Sequence, residues 1–143
     1  MKPFRFRLQR VLDVRAQIRD KARQEVVLLN HERDHAISIL RGLEDEYQDI
    51  QIPEGGTYPA SQLMLSGAYA ERLEKAITEQ QQVVAQAIKD AQAAQERYIE
   101  ASREAKALEM LREKKVLEHK EQAQREEGST LDEFAIQRAM RVE

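Results

Sequence analysis

The sequence predicts an all-α protein, a long antiparallel two-helix coiled-coil hairpin. Three observations carry that expectation. From about Ala60 to Glu127 the chain holds one glycine, Gly67, and no proline. These two residue types cost a helix interior about 1 and 3 kcal/mol against alanine, so their near absence favours one long helix. Within that stretch Leu73, Ile77, Gln80, Val84, Ala87, Ala91, Ala94, Tyr98, Ala101, Ala105 and Leu108 recur at steps alternating between four and three. Ten of these eleven are apolar, against 41% for the whole chain. Such a stripe is a coiled-coil seam and needs a partner helix. Finally, a single strongly punctuated segment, Ile52-Pro53-Glu54-Gly55-Gly56-Thr57-Tyr58-Pro59, separates this stretch from an earlier amphipathic one. A short connection between two amphipathic helices makes them antiparallel neighbours.

Composition agrees. Charged residues make up 34% of the 143 residues and aromatics 5%, with no tryptophan. That is too polar for a compact core and suits long helices. The absence of cysteine excludes a disulfide framework and a thiolate metal site, and fits a reducing compartment. A net charge of -3 argues against bulk nucleic-acid binding. No apolar run approaches the roughly 20 residues a membrane span needs. The opening Met1-Lys2-Pro3-Phe4-Arg5-Phe6-Arg7 leads into no apolar stretch and does not read as a secretory signal. A soluble cytoplasmic protein is expected.

The whole chain, 1–143, reads as a single hairpin. The first helix is expected from Phe4 or Arg5, just after Pro3, to about residue 51. One strict heptad series runs Leu8, Arg15, Ala22, Leu29, Ala36, Leu43, Ile50. A second row drifts between Val11, Ile18, Ile39 and Leu12, Val26, Leu40, Tyr47, as a 3.6-residue helix does against a 3.5 repeat. The connection is expected over about 52–60. A turn centred near Gly56 places Leu29 near Val84, Ala36 near Ile77 and Ala22 near Ala91. The second helix is expected over about 61–127, longer than the first, with its C-terminal end overhanging. Its stripe loses register after Leu108, about where the first helix runs out. The seam is thin, because alanines bury little at about 0.8 kcal/mol per methylene. Arg15, Glu25 and Glu32 lie on or beside it. The hairpin should therefore be only marginally stable alone.

Gly128 suits the position after a helix C-terminus. Thr130 and Glu133 have the spacing of a capping box. A break there would be followed by a short terminal helix over about 131–141, with Leu131, Phe134 and Ala135 on one side. Phe134 would then be a candidate contact, unless the segment folds back on the hairpin or is disordered.

Four patterns bear on chemistry. His31-Glu32-Arg33-Asp34-His35 matches the H-E-x-x-H helix of zinc proteases. It lacks the third ligand, covering sheet and cleft that such a site needs, and both histidines fall off the apolar stripe. Stray surface zinc binding is the blander reading. Residues 1–23 hold eight cations against Asp13 and Asp20, a net of +6, which leaves −9 on the remainder. This basic tip suits an acidic pore or surface, nucleic acid or membrane. The alternative is a solvated helix end balanced by Glu104, Glu109 and Glu113. Beyond Phe4 and Phe6 it lacks the interleaved aromatics of a nucleic-acid platform. Tyr69, Leu73, Ala76 and Gln80 form a row that reads more readily as core than as contact. No phosphate-binding loop of the G-x-x-x-x-G-K type occurs, so the chain is not itself a nucleotide-hydrolysing motor.

Several segments together resemble one family. They are Phe4-Arg5-Phe6-Arg7-Leu8-Gln9-Arg10-Val11-Leu12, Tyr69 with Leu73-Glu74-Lys75-Ala76-Ile77, Lys106-Ala107-Leu108-Glu109-Met110-Leu111-Arg112-Glu113-Lys114, and Leu131-Asp132-Glu133-Phe134-Ala135 with Arg138 and Met140. The sequence is similar to the flagellar export protein FliJ family. The resemblance implies a non-enzymatic part of the flagellar type III export apparatus, with no cofactor and no metal. Members of that family resemble the stalk of rotary ATPases. They insert the end bearing both termini into the hexameric export ATPase and activate it. They also contact the export-gate membrane protein and bind export chaperones. Carried over by position, the gate contact falls on Tyr69, Leu73, Ala76 and Gln80. The pore contact is expected at Phe4, Arg5, Phe6, Arg7, Arg10 and Phe134. The resemblance further implies a monomer in isolation, without nucleic acid, associated peripherally with the inner membrane at the flagellar base. The rival readings are a general coiled-coil export chaperone or escort adaptor, the equivalent stalk of a virulence secretion system, and the metalloprotease.

Overall fold

The computed structural model describes residues 2–50 and 56–142. It contains two helices, α1 (Gln9–Asp49) and α2 (Ala60–Val142), packed against each other as an all-α helical hairpin coiled coil, with no strand among the described residues. Both helices pass through two compact units. One unit comprises the residues up to Arg19 with those from Glu100 onward, and the other is Asp20–Ile99.

Helix α1 begins at Gln9, later than the expected start near Phe4. Residues 2–6 are not helical. The first turn closes with Gln9 N donating to Phe6 O (3.1 Å) and Leu12 N to Leu8 O (2.9 Å). Pro3 disfavours a helical residue before it, and the phenyl ring of Phe4 is engaged by α2. At the other end, α1 stops at Asp49 and α2 starts just after Pro59, whose carbonyl accepts from Gln62 N and Leu63 N. Residues 51–55, including Ile52-Pro53-Glu54-Gly55 of the expected connection, lie outside the described residues.

All eleven stripe positions from Leu73 to Leu108 are buried or half-buried. Leu73, Ala91, Ala94, Ala101 and Ala105 are the most deeply covered, with Ala94 and Ala105 fully buried. The facing seam on α1 is stricter than the drifting row read from sequence. Leu12, Arg19, Val26, Arg33 and Leu40 turn inward beside the Leu8–Ile50 series, while Val11, Ile18 and Ile39 stay exposed. Three arginines therefore occupy the seam. Their aliphatic stems cover it while the charged heads reach out, a behaviour open to long cationic side chains. Arg15 and Arg19 meet Glu104 and Glu109 across the helix pair, and Arg33 meets Asp34.

The core is as thin as its alanines suggest. Five of its seven buried hydrophobic residues are alanine, and no large side chain is fully buried among the described residues. Small side chains let the two backbones approach closely, so close packing substitutes for bulk.

In the Asp20–Ile99 unit Gln80 Nε2 donates to the Ala36 carbonyl (2.9 Å), within a turn of the Ala36–Ile77 pairing expected. Arg97 donates to Glu25 (2.7 Å). In the last turns of α1, Glu46 accepts from the Tyr69 hydroxyl (3.1 Å) and Tyr47 donates to Glu74 (2.6 Å). Since α2 begins at Ala60, its first turns extend past the end of α1, and Leu63, Met64 and Leu65 are exposed there.

The break expected at Gly128-Ser129-Thr130 is absent, and so is a separate terminal helix: α2 runs through to Val142. Thr130 does not cap. Its hydroxyl donates to the Glu126 carbonyl one turn back (2.8 Å), a bond that a helix interior permits. A single glycine costs a helix only about 1 kcal/mol, and the strong helix formers on both sides absorb it.

Candidate functional site

The unit bearing the N-terminal segment gathers the basic tip. Where the α2 stripe passes Leu108, its four-three spacing continues onto Arg112, Lys115, His119, Gln122 and Glu126. Of these only His119 is half-buried; the other half-buried residues of α2 past Glu109 are Leu111, Val116, Ala123 and Gly128. Phe4 is half-buried against Arg112 and His119. Its ring lies edge-on to His119, with centroids 5.6 Å apart. The Arg112 guanidinium sits 5.7 Å from the same ring's centroid. His119 Nε2 is 3.0 Å from the Lys2 carbonyl; a carbonyl only accepts, so the imidazole donates there. Arg112 Nε also donates to Gln9 Oε1 (3.0 Å), so one guanidinium holds both the first residue of α1 and the phenyl ring. Between the N-terminal segment and α2 lies a cleft of about 1330 Å3, lined from α2 by Leu111, Lys115, His119 and Gln122.

The cations of the basic end divide into two sets. Arg15 and Arg19 are matched by Glu104 and Glu109, as the balanced-end alternative expected. Arg5, Arg7 and Arg10 are exposed, and none forms an ion pair among the described residues. Phe6 is half-buried. Phe134, on the far part of α2, is 66% exposed. Of the residues expected at the pore, then, the three arginines and Phe134 stand free, while Phe4 is held against α2.

The four residues of the other row separate. Leu73 is buried, Ala76 is half-buried, and Gln80 is half-buried and committed to the Ala36 carbonyl. Tyr69 is exposed. Its pKa is raised above the ordinary tyrosine value, first because its hydroxyl donates to the Glu46 carboxylate and then by that group's charge. Tyr47 is shifted the same way by Glu74.

His31 and His35 are both exposed on α1. Among the described residues no group of three or more histidine or carboxylate side chains is placed to hold a metal ion. No helix among them is long and apolar enough to cross a membrane.

Arg112 and His119 were missed as functional candidates by sequence reasoning. Sequence spacing carried no signal for them, since what they hold depends on the N-terminal segment lying against α2, which periodicity does not report.

Fold and tip together define an all-α coiled-coil hairpin protein with exposed arginines at its basic end. The family model described as "Flagellar FliJ protein" matches residues 4–143. The chain belongs to that family, and with it to the components of the flagellar type III export apparatus. Neither a curated protein nor a solved structure matches the chain.

Proposed function

We propose that this protein is the non-enzymatic central stalk of the export apparatus, which inserts its basic tip into the hexameric export ATPase and links that ring to the export gate. The observation that carries this reading is that Arg5, Arg7 and Arg10 are exposed and form no ion pair among the described residues. Unpaired cations on one tip are attracted to an acidic lumen and speed encounter with it. A rod without catalytic groups acts by differential binding, favouring the assembled ring over free subunits. Phe6 beside these arginines and the exposed Phe134 further along α2 supply apolar contact. Tyr69, the most accessible of its row, supports a separate contact with the gate's cytoplasmic domain, with Leu73, Ala76 and Gln80 serving the seam in the free protein. Export chaperones are further partners, and the site of action is the cytoplasmic face of the inner membrane at the flagellar base.

The test is ATP turnover by the purified flagellar export ATPase, titrated with this protein at low ATPase concentration. Stimulation that saturates near one stalk per six ATPase subunits is expected for an axial stalk of a hexamer. The triple variant Arg5→Glu, Arg7→Glu, Arg10→Glu should lose most of that stimulation with helicity unchanged. No stimulation by the helical wild-type protein would rule out the stalk and leave the escort adaptor.

A further inference from the structure

The aromatic ring expected to reach a partner is already occupied within the chain. Phe4 contacts Arg112 and His119, and the carbonyl of Lys2 is held by His119. Three features favour an engagement that can open. Residues 2–6 lie in no helix, and the turn bond from Gln9 N to Phe6 O belongs to the start of α1, not to the docking. The docking contacts are an edge-on ring pair, a cation over a ring and one hydrogen bond, each individually weak at a solvent-accessible site. A cleft of about 1330 Å3, open to solvent, lies between the segment and α2.

We infer that residues Lys2 to Phe6 form a strap latched onto α2 by Phe4, Arg112 and His119, and that the latch competes with the ring partner for Phe4. The inference rests on the stalk reading of the tip. The docked strap is the resting form. Undocking frees an aromatic ring beside Arg5, Arg7 and Arg10, a combination suited to an acidic surface with an apolar socket. A protein whose binding-competent form is fractionally populated binds more weakly by that fraction. Residues on the two sides of the latch should therefore act in opposite directions. Removing the α2 side releases the strap and strengthens partner binding. Removing Phe4 releases the strap too, but also deletes the contact.

The chain has no cysteine, so spin labels can be placed at will. Labels at Arg5→Cys and Lys120→Cys, read by pulsed dipolar spectroscopy, should show a short docked distance and a longer undocked one. His119→Ala and Phe4→Ala should each raise the undocked-to-docked ratio by about threefold to tenfold. His119→Gln keeps a donor for the Lys2 carbonyl but loses the ring, and should fall between. In ATPase titrations with unlabelled protein, His119→Ala should reach half-maximal stimulation at about threefold to tenfold lower concentration, and Phe4→Ala at higher concentration. A distance distribution that neither substitution moves overturns the latch. A strap released by His119→Ala with half-saturation unchanged overturns the competition. Wild-type protein that leaves ATP turnover unaffected removes the ring partner and the competition with it, while the distances still decide whether the strap is latched.

Discussion

Leu73 belongs both to the hairpin seam and to the row expected at the export gate, so truncating it separates packing from contact. Its side chain is 5% exposed and it is the one buried leucine in the Asp20–Ile99 unit. Leu73→Ala removes three carbons, which at about 0.8 kcal/mol each gives roughly 2.4 kcal/mol of lost transfer free energy. A cavity adds to this in a closed core, where Leu→Ala costs about 2–5 kcal/mol. A two-helix seam has solvent on both flanks and can collapse, so the expected loss is at the lower end, about 2–3 kcal/mol. For so thin a core that is a large share of the total. Urea unfolding followed by far-ultraviolet circular dichroism should show a lower midpoint at an unchanged slope. Leu65→Ala, at a residue 72% exposed on the first turns of α2, is the control and should change stability by less than about 0.5 kcal/mol. A Leu73→Ala variant as stable as that control would refute the seam assignment, above all if gate binding fell at the same time, since Leu73 would then be a contact.

Three further outcomes are expected. Tyr69→Ala removes an exposed ring and one hydrogen bond, so it should weaken binding to the gate's cytoplasmic domain while leaving ATPase stimulation near wild type; equal loss of both activities would sink that division of labour. Gly128→Ala should slow amide exchange around residues 126–132 by a few-fold, because the site is helical, an added Cβ meets nothing within 4 Å, and alanine gains about 0.5–1 kcal/mol over glycine in a helix interior; faster exchange would mean that the chain does break there. The Tyr47–Glu74 and Tyr69–Glu46 bonds raise both folded-state tyrosine pKa values above the ordinary 10.0, so their stabilisation is intact below that pH and is lost as the pH rises through the raised values. Phenolate absorbance should accordingly show a late-titrating component that Tyr47→Phe and Tyr69→Phe each diminish, and its persistence in the double variant would overturn the assignment.

Much of the fold was legible because coiled coils write their tertiary contact into local spacing. The Leu73–Leu108 stripe and the Leu8–Ile50 series both lie on the seam, since a 3.5-residue repeat on a helix admits one buried line. The tip's charge was equally legible, being a property of composition. Other features were not. The choice of Leu12 over Val11 and of Leu40 over Ile39 was left open by two adjacent apolar residues, and contact with the partner helix settled it. The register was legible only to about a turn, because turn residues announce a connection but do not measure it. Gly128 and Thr130 carried an end-of-helix signal that local hydrogen bonding overrode, the Thr130 hydroxyl turning back to Glu126.

The sequence by itself determined two amphipathic helices, their antiparallel pairing, the alanine-thin seam and the basic end, because each follows from residue type and spacing along one chain. The tertiary structure alone decided which arginines are spent on Glu104 and Glu109 and which remain unpaired, and that Phe4 lies against Arg112 and His119. Those outcomes turn on which distant residues the register brings within a few ångströms, and a contact between residues 89 or more positions apart leaves no periodic trace in the chain that makes it.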